Sequence, residues 1–334
     1  MKNFSKYLSV LCLGLLLLVA GCSGDESSSA DNEDTDASSF PEKPITLIVP
    51  SAAGGGTDST ARALANATED HLGESIGVEN KEGGSGATGM TEGANADPDG
   101  YTVSMVFVEL TMLNHLGLSD LTSDQFKPLG LVNLDPAALT VPADAPYDTI
   151  DEFIEYSKEN PGEVKVGNAG TGSIWHIAAE SFAKETELEL NHVPFDGAAP
   201  AVTSLMGGHI DAVTVSPAEV LPQVESGDLK TLGVMSDKRS DMMPDVPTFE
   251  EEEVDVTPVG TWRGLVVPED TPDEIAGKLE EAFLKGAEEE EFTEFMKNNG
   301  LGLEVKNSEE FEEFMNKESQ FYGDIISDLD LGSN

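Results

Sequence analysis

The chain has 334 residues, of which 39% are hydrophobic and 6% aromatic, and this is enough to bury a substantial core. Its 64 acidic and 18 basic residues give a net charge of −46, which excludes nucleic acids and anionic membrane surfaces as partners held by bulk electrostatics. Because salt screens repulsion between like charges, we expect the stability of the fold to increase with salt concentration.

The first 21 residues are predicted to be a lipoprotein signal. Two lysines precede an apolar run from Tyr7 to Ala20, which is shorter than a membrane-spanning helix. The run continues into "LVAGC", which resembles a bacterial lipobox, so we expect Cys22 to become the lipidated first residue. An ordinary signal peptide with an incidental cysteine is the alternative. Cys12 would leave with the signal, and the mature chain would then hold no free thiol for a disulfide or a metal site.

Residues 22–40 are predicted to form a flexible acidic tether. The stretch "SGDESSSADNEDTDASS" contains no aromatic and no large aliphatic side chain. Such a segment cannot offset its ordering entropy by burying apolar surface. Its acidic residues also lack the spacing of an EF-hand, so solvation of the tether explains them better than a calcium site does.

Strand-like and helix-like patterns then alternate along the chain. The predicted strands are "ITLIVP", "SIGVEN", "YTVSMVF", "ALTVP", "VKVGN", "NHVPF", "DAVTVS" and "LKTLGVM". Helical patterns such as "STARALANATEDHLG" and "SIWHIAAESFAKETE" separate them. Uniformly apolar strands separated by helices predict an α/β fold with mainly parallel sheets covered on both faces.

This pattern restarts after "PADAPYDTIDEFIEYSKENPG", and we therefore expect two Rossmann-like lobes with a central cleft. The predicted crossings lie near Val141 to Asp148 and near Thr257 to Arg263. Lobe 1 is expected to contain residues 41–143 and 263–334, with the C-terminal helices returning to it. Lobe 2 is expected to contain residues 144–262.

Each predicted lobe has one glycine-rich turn between a strand and a helix, in "SAAGGGTDST" and in "GNAGTGSIWH". The first turn of a helix has free backbone N–H groups and a partial positive charge, and glycines let a ligand approach closely. Asn168, Thr171 and Ser173 add short polar side chains to the second turn. Simple turn geometry is the alternative, but two such turns facing each other would suit a ligand with two acidic ends.

Several enzyme motifs are absent or incomplete. "GGGTDST" lacks the lysine of a P-loop, and "GSGATG" at Gly84 to Gly89 stands in the wrong place for a dinucleotide fingerprint. "GGSGA" lacks the last glycine of a nucleophile elbow. The five histidines show no metal-ligand spacing, and the His176 and Glu180 pair does not make a metal site by itself. We therefore expect no catalytic residues, no cofactor and no metal.

From Pro41 to about Thr271 the chain resembles the extracytoplasmic solute receptors of tripartite tricarboxylate transporters, the TctC or Bug family. The matching segments follow one another in order: "PEKPITLIVPSAAGGGTDSTARALA", "VENKEGGSGATG", "DPDGYTV", "GTGSIWHIAAESFAKET", "HVPFDGAAPAVTSLMGGHIDAV", "MPDVPTFEE", Trp262 and "VPEDTP". Each segment is moderately specific, and their order over most of the mature chain makes the resemblance strong.

The resemblance implies a two-lobed fold like that of type II periplasmic binding proteins, closing around a small carboxylate. It implies that the loop backbone, more than the side chains, contacts the ligand. The residues that it assigns to ligand or bound water are Ser51, Ala52, Ala53, Gly54, Gly55, Thr57 and Asp58 in the first loop, Asn168, Ala169, Gly170, Thr171, Gly172, Ser173 and His176 in the second, and Asp211 near the cleft.

Four positions depart from the family pattern or allow two interpretations. Phe195 and Asp196 stand where many relatives have tyrosine and lysine, which removes a possible cation. Glu109 follows the third strand, where many relatives have a small neutral residue. If it faces the cleft it would repel a tricarboxylate and favour a ligand with an ammonium group or fewer charges, and otherwise it is one surface acid among many. His176 could donate to a ligand carboxylate or simply pack and cap a helix.

The sequence thus predicts a receptor, lipid-anchored outside the cell membrane, that binds a di- or tricarboxylate or a related organic acid. The family implies delivery of this ligand to a large and a small integral membrane subunit. A ligand-sensing receptor for a membrane signalling partner is the first alternative. A secreted hydrolase is the second, and it lacks a recognisable nucleophile and base.

Overall fold

Two β-sheets organise the computed structural model, which describes residues 39–195, 197–329 and 331–332. The predicted signal and Cys22 lie outside these residues, as do most of the predicted tether and Asp196. Both sheets belong to one compact unit that extends from Asp36 to Asn334. Among the described residues, no helix is both long enough and apolar enough to cross a membrane.

The first sheet has six strands. In spatial order they are β11 (Leu303–Lys306), β4 (Phe126–Pro136), β10 (Gly260–Pro268), β3 (Thr102–Phe107), β1 (Ile45–Val49) and β2 (Ile76–Asn80). β1 pairs in parallel with β2 and β3, so all three strands end at the same edge. β10 runs antiparallel to both β3 and β4, and β11 runs antiparallel to β4.

The second sheet has five strands. In spatial order they are β7 (Asn191–Pro194), β6 (Lys165–Asn168), β8 (Ala212–Val215), β5 (Ala138–Pro142) and β9 (Leu229–Val234). β6 is parallel to β7 and β8, whereas β5 is antiparallel to β8 and β9. Both sheets are therefore mixed, and the antiparallel pairings belong to the strands near the passages between the sheets.

The chain passes from the first sheet to the second at Ala137, because β4 ends at Pro136 and β5 begins at Ala138. This passage lies before the predicted crossing near Val141 to Asp148. The predicted lobe 1 includes "ALTVP", whereas the structure places this segment in the second sheet as β5. The chain returns between Val234 and Gly260, a span that contains the start of the second predicted crossing.

Nine α-helices are present among the described residues. They are α1 (Gly56–Leu72), α2 (Ala87–Ala94), α3 (Ile150–Glu159), α4 (Ile174–Glu185), α5 (Ala198–Met206), α6 (Pro217–Glu225), α7 (Asp273–Glu288), α8 (Glu290–Asn298) and α9 (Ser308–Asp328). α1 ends where Gly73 adopts a left-handed conformation (φ 82°) and its N–H bonds to the Glu69 carbonyl. This geometry is a glycine C-cap.

Two apolar cores hold the fold together. One lies between the first sheet and α1, α7 and α8, and includes Leu47, Leu64 and Phe283. The larger core packs against the second sheet and extends to strands of the first sheet. There Trp262 on β10 contacts Phe311 on α9. The C-terminal helix α9 therefore packs on the first sheet.

The α/β class with two sheets is confirmed, and so are the eight predicted strands. The sequence missed β4, β10 and β11. In β4 and β10 the residues Pro128, Gly130 and Gly264 interrupt the apolar pattern, and β11 is only four residues long. Proline and glycine are depleted in strands, so these segments carry a weak strand signal.

Candidate functional site

An open cavity of about 640 Å³ lies where segments from the two sheets meet. On one side, the segments after β1, β2 and β3 line it, since parallel strands end at a common edge. On the other side, the loop between β6 and α4 lines it. The wall consists of Pro50, Ser51, Ala52, Glu82, Gly83, Ser85, Gly86, Phe107, Glu109, Met112, Leu113, Leu116, Leu118, Ala169, Gly170, Thr171, Gly172, Ser173, Ile174, Trp175 and Leu331.

The loop between β6 and α4 is held in place by hydrogen bonds within the loop and to the start of α4. Ser173 caps α4 by accepting the His176 backbone N–H (3.2 Å), and His176 Nδ1 in turn accepts the Gly172 N–H (3.1 Å). Asn168 Oδ1 accepts the Gly170 N–H (3.0 Å). Gly170 (φ 121°) and Gly172 (φ 78°) have backbone angles that side chains disfavour. The glycines predicted for this loop are therefore required by its conformation.

In this loop and the first turn of α4, the backbone N–H groups of Thr171, Ile174 and Trp175 have no hydrogen-bond acceptor within the described part of the chain. All three residues line the cavity. The first N–H groups of a helix have no partner within it, and the helix dipole places partial positive charge there. The start of α4 therefore offers the cavity an anion-binding group of donors.

The loop after β1 reaches the cavity with Ser51 and Ala52. Beyond them, the Gly54 N–H donates to Asp58 Oδ2 (2.8 Å). Asp58 is buried and also accepts from Arg62 (3.1 Å) and Asn80 (2.9 Å). Although burial raises the pKa of Asp58, the bonds from Arg62, Gly54 and Asn80 outweigh it and hold this pKa below its usual value. Asp58 thus fixes the loop.

Two buried polar atoms beside the cavity have no hydrogen-bond partner among the described residues. One is the Ser51 hydroxyl oxygen, and the other is Asn168 Nδ2, at the end of β6. Buried polar groups in native proteins are nearly always paired with protein or ordered water. Ser51 lines the cavity, so its hydroxyl is suited to a bound water or ligand group, whereas fully buried Asn168 is suited to an ordered water.

Glu109 lines the cavity from the 3₁₀ turn Val108–Thr111 that follows β3. Burial raises the pKa of Glu109 to about 7, against the opposing effects of its own backbone N–H and of the Arg263 charge. At neutral pH the charged and the neutral forms of this carboxyl group are consequently both populated.

Arg263, on β10, is the cation that acts on Glu109, but it does not line the cavity. Its Nε donates to Thr57 Oγ1 (3.0 Å), and its guanidinium also donates to Asn133 and to Asp135 (2.9 Å). Only 11% of the side chain is exposed. Its Nε and Nη1 groups thus donate to partners within the protein.

Comparison with known proteins places these observations in a family. The family described as "Tripartite tricarboxylate transporter family receptor" (TctC) matches residues 60–331. The chain belongs to this receptor family. It is also 31% identical to Protein BugT of Bordetella pertussis over 279 residues, which are 82% of each chain.

Solved structures of similar receptors agree with the fold. A TctC solute-binding protein from Polaromonas, solved without ligand, is 42% identical and has a TM-score of 0.80, covering 86% of this chain and 99% of that one. An R. palustris protein solved with adipate is 25% identical, with a TM-score of 0.73 and coverage of 86% and 97%. The two-lobed fold of periplasmic binding proteins is therefore that of this receptor.

The structure brings half of the predicted site residues of this TctC receptor to one cavity. They are Ser51, Ala52, Glu109, Ala169, Gly170, Thr171, Gly172 and Ser173. Ala53, Gly54 and Gly55 are exposed but lie outside the cavity wall. The first predicted loop therefore reaches the cavity only with the two residues at its start.

Four predicted contacts are directed elsewhere. Thr57 accepts from Arg263, Asp58 holds the first loop, and Asn168 is fully buried behind the second. His176 supports the second loop through Gly172 and does not line the cavity. These four side chains therefore position the site's backbone and do not face its interior.

Asp211 was expected near the cleft, and this expectation is wrong. Asp211 is exposed and accepts the Lys165 N–H (2.8 Å) at the beginning of β6. The second cavity loop follows the other end of that strand, after Asn168. Asp211 therefore lies at the opposite edge of the second sheet from the cavity.

His176, Glu180 and His192 form a cluster behind the second loop, with one ligand atom from each within 4.8 Å of the others. Each histidine Nε2 lies 3.4 Å from Glu180 Oε1. Because His176 Nδ1 accepts the Gly172 N–H, the proton of the neutral ring is on Nε2, which donates to Glu180. That bond holds the pKa of Glu180 below its usual value. The proton on Nε2 leaves no lone pair there for a metal.

Sequence reasoning missed the apolar side of the cavity and the role of Arg263. Phe107, Leu116 and Trp175 line the wall, but apolar residues after a strand or in a helix look like ordinary core. The sequence does contain a sign that Arg263 has a special role. It is the single basic residue of "GTWRGLVVP", an apolar strand in a chain with few cations.

Proposed function

We propose that this TctC receptor binds a small organic carboxylate in the cavity and delivers it to the membrane subunits of a tripartite transporter. The observation that carries the proposal is the group of three unpartnered N–H donors at Thr171, Ile174 and Trp175, which all line the cavity. Hydrogen bonds from such donors to a charged carboxylate contribute roughly 1.5–3 kcal/mol each.

The ligand is proposed to hold two lobes together. Ser51 and Ala52 approach the cavity from the first sheet and the loop before α4 approaches it from the second. Leu116 also lies next to Gly172, where an added Cβ would be 3.5 Å from the Leu116 side chain. A ligand that contacts both sides would stabilise a closed arrangement over an open one, with the crossing strands as the hinge.

We propose that the receptor works outside the cell membrane and is tethered there through lipidated Cys22. The N-terminal charged and apolar segments and the lipobox-like "LVAGC" support this location. The tripartite transporter family itself supports a large and a small integral membrane subunit as partners.

We propose that the receptor has no catalytic activity. The cavity wall contains the serines Ser51, Ser85 and Ser173, but no histidine or lysine lines it among the described residues. Nucleophilic catalysis by serine needs an adjacent base to remove the hydroxyl proton. The wall therefore lacks the pair that a secreted hydrolase of this type requires.

Ile174→Pro tests the proposed donors directly. Ile174 is the first residue of α4, and its preceding residue Ser173 has φ −68° and ψ 158°, a conformation compatible with a following proline. Proline at this position removes the N–H and keeps the helix start. We expect carboxylate binding, measured by calorimetry in high salt, to weaken roughly 10- to 100-fold because one charge-assisted hydrogen bond is lost.

Ile174→Ala is the matched control, since it shortens the same side chain and retains the N–H. We expect this control to account for any effect of lost apolar contact, and the proline variant to bind more weakly than it. Equal affinities in the two variants, with both folded, would show that the start of α4 does not bind the carboxylate.

A further inference from the structure

The charge of the cavity wall narrows the kind of carboxylate that the receptor can bind. The described lining residues include two acids, Glu82 and Glu109, and no lysine, arginine or histidine. The backbone N–H groups at the start of α4 can donate to one carboxylate. A second carboxylate in the same cavity would face acidic side chains without a compensating cation.

Two cations that could compensate these acids, Arg263 and Lys81, are already paired. Arg263 donates to Thr57, Asn133 and Asp135 and is largely buried. Lys81, the neighbour of Glu82 in the chain, forms ion pairs with Glu79 (2.8 Å) and Glu92 (2.9 Å). Neither cation is therefore directed towards a ligand in the cavity.

One stretch of the wall is apolar. After Glu109 the chain contributes Met112, Leu113, Leu116 and Leu118, and Trp175 contributes from the opposite side. Leu118 is 61% exposed, although large aliphatic side chains favour burial. An apolar segment of a ligand would cover part of this surface and be stabilised by its removal from water.

We propose that the ligand is an amphiphilic amino acid whose carboxylate binds at the start of α4, whose apolar body lies on the Met112–Leu118 segment, and whose ammonium group binds Glu109. This proposal rests on the proposed carboxylate-binding function and specifies its substrate class. Glu82, on the same wall, adds a second negative charge that favours the ammonium group.

The protonation of Glu109 gives the proposal a pH signature. Arg263 on β10 and Tyr322 on α9 face Glu109, with Glu82 on the same cavity wall. Burial places the pKa of Glu109 at about 7, and an ammonium group binds only the ionised form. Affinity for an amino acid therefore increases as the pH rises through about 7. A dicarboxylate would instead need the neutral form and would bind better as the pH falls.

Three probes of equal chain length separate these cases: ε-aminocaproate, adipate and caproate. They share one carboxylate and differ at the far end, which is an ammonium, a carboxylate or a methyl group. By calorimetry on the purified full-length receptor in high salt, we expect ε-aminocaproate to bind about tenfold more tightly than adipate at pH about 8, with the difference decreasing at pH about 6.

Glu109→Gln should weaken ε-aminocaproate about tenfold, leave caproate unchanged and remove the pH dependence. Glu288→Gln is the matched control, because it removes the same charge from the exposed end of α7. The distance between the start of α4 and Glu109 sets the chain length that fits best. Shorter and longer amino acids of the same series are therefore measured as well.

Tighter binding of adipate than of ε-aminocaproate, or affinity for ε-aminocaproate that rises as the pH falls, would overturn this inference and leave the carboxylate-binding function intact. Unchanged ε-aminocaproate binding in Glu109→Gln would overturn it as well. If no carboxylate of any class bound a cooperatively folded receptor, the proposed function itself would fail.

Discussion

Asp58 shapes a loop of the candidate site through hydrogen bonds within the protein. The sequence places Asp58 within a glycine-rich turn, where a contact with a ligand is a natural expectation. The structure turns its carboxylate back to the Gly54 N–H and to the side chains of Arg62 and Asn80. The partner Asn80 lies 22 residues away at the end of β2, and local sequence pattern does not report such a contact.

Asp58→Ala should destabilise the fold by about 1–3 kcal/mol, because it removes the part-buried hydrogen bonds that a charged carboxylate accepts from Gly54, Arg62 and Asn80. The pKa of Asp58 is lowered in the folded state, so its contribution is present above the unfolded pKa of about 3.9 and is lost as the pH falls through the folded value. Urea unfolding at pH about 7 and about 3, in constant high salt, measures both effects.

Asp151→Ala is the control for this variant, since Asp151 is exposed in the first turn of α3. We expect it to change stability by less than about 0.5 kcal/mol. An equally small effect of Asp58→Ala at neutral pH would show that its hydrogen bonds do not hold the loop.

The position of Asp211 follows from the direction of the strands in the second sheet. The resemblance placed it near the cleft, but Asp211 precedes β8, whereas the second cavity loop follows β6 after Asn168. β6 and β8 are parallel, so the residue before one and the residue after the other lie at opposite edges. Strand direction alone could have corrected this expectation from the sequence.

At the scale of elements, the sequence predicted the strands next to the cavity and both of its glycine-rich turns. It did not predict the long strands that join the two sheets, β4 and β10. Nor did it predict that the segment after β3 would present Met112, Leu113 and Leu116 to the cavity. That segment has no helical or strand period, so its orientation is set by tertiary packing and not by a local pattern.

Gly264 tests how tightly α9 packs on β10. A Cβ at Gly264 would lie 2.2 Å from the ring of Phe311 on α9. Gly264→Ala should therefore destabilise the fold by at least about 1–3 kcal/mol through overpacking, as measured by the midpoint of thermal or urea unfolding in high salt.

Gly277→Ala provides the matched control within α7. Apart from its chain neighbours and the backbone of its own helix, no atom of the described residues lies within 4 Å of a Cβ at this position. Alanine is the better helix former, so we expect this variant to be stabilised by about 0.5–1 kcal/mol. If both glycine variants unfolded at the same midpoint, the close packing between β10 and α9 would be refuted.

At the scale of the whole molecule, two sheets bring together groups that are far apart in the chain. The N–H donors at the start of α4, Ser51 after β1 and Glu109 after β3 all line one cavity. The net charge of −46 makes like-charge repulsion depend on salt, so binding and unfolding are best compared at one fixed, high salt concentration. The local backbone therefore supplies the attraction for an anion that the overall charge opposes.

The most direct measurement is a crystal structure of the receptor with the carboxylate that gives the largest rise in melting temperature. The account predicts that a ligand carboxylate oxygen lies within hydrogen-bond distance of the N–H groups of Thr171, Ile174 or Trp175. A ligand bound instead in the separate cavity of about 440 Å³, lined by Lys238, Arg239 and Lys297, would contradict it.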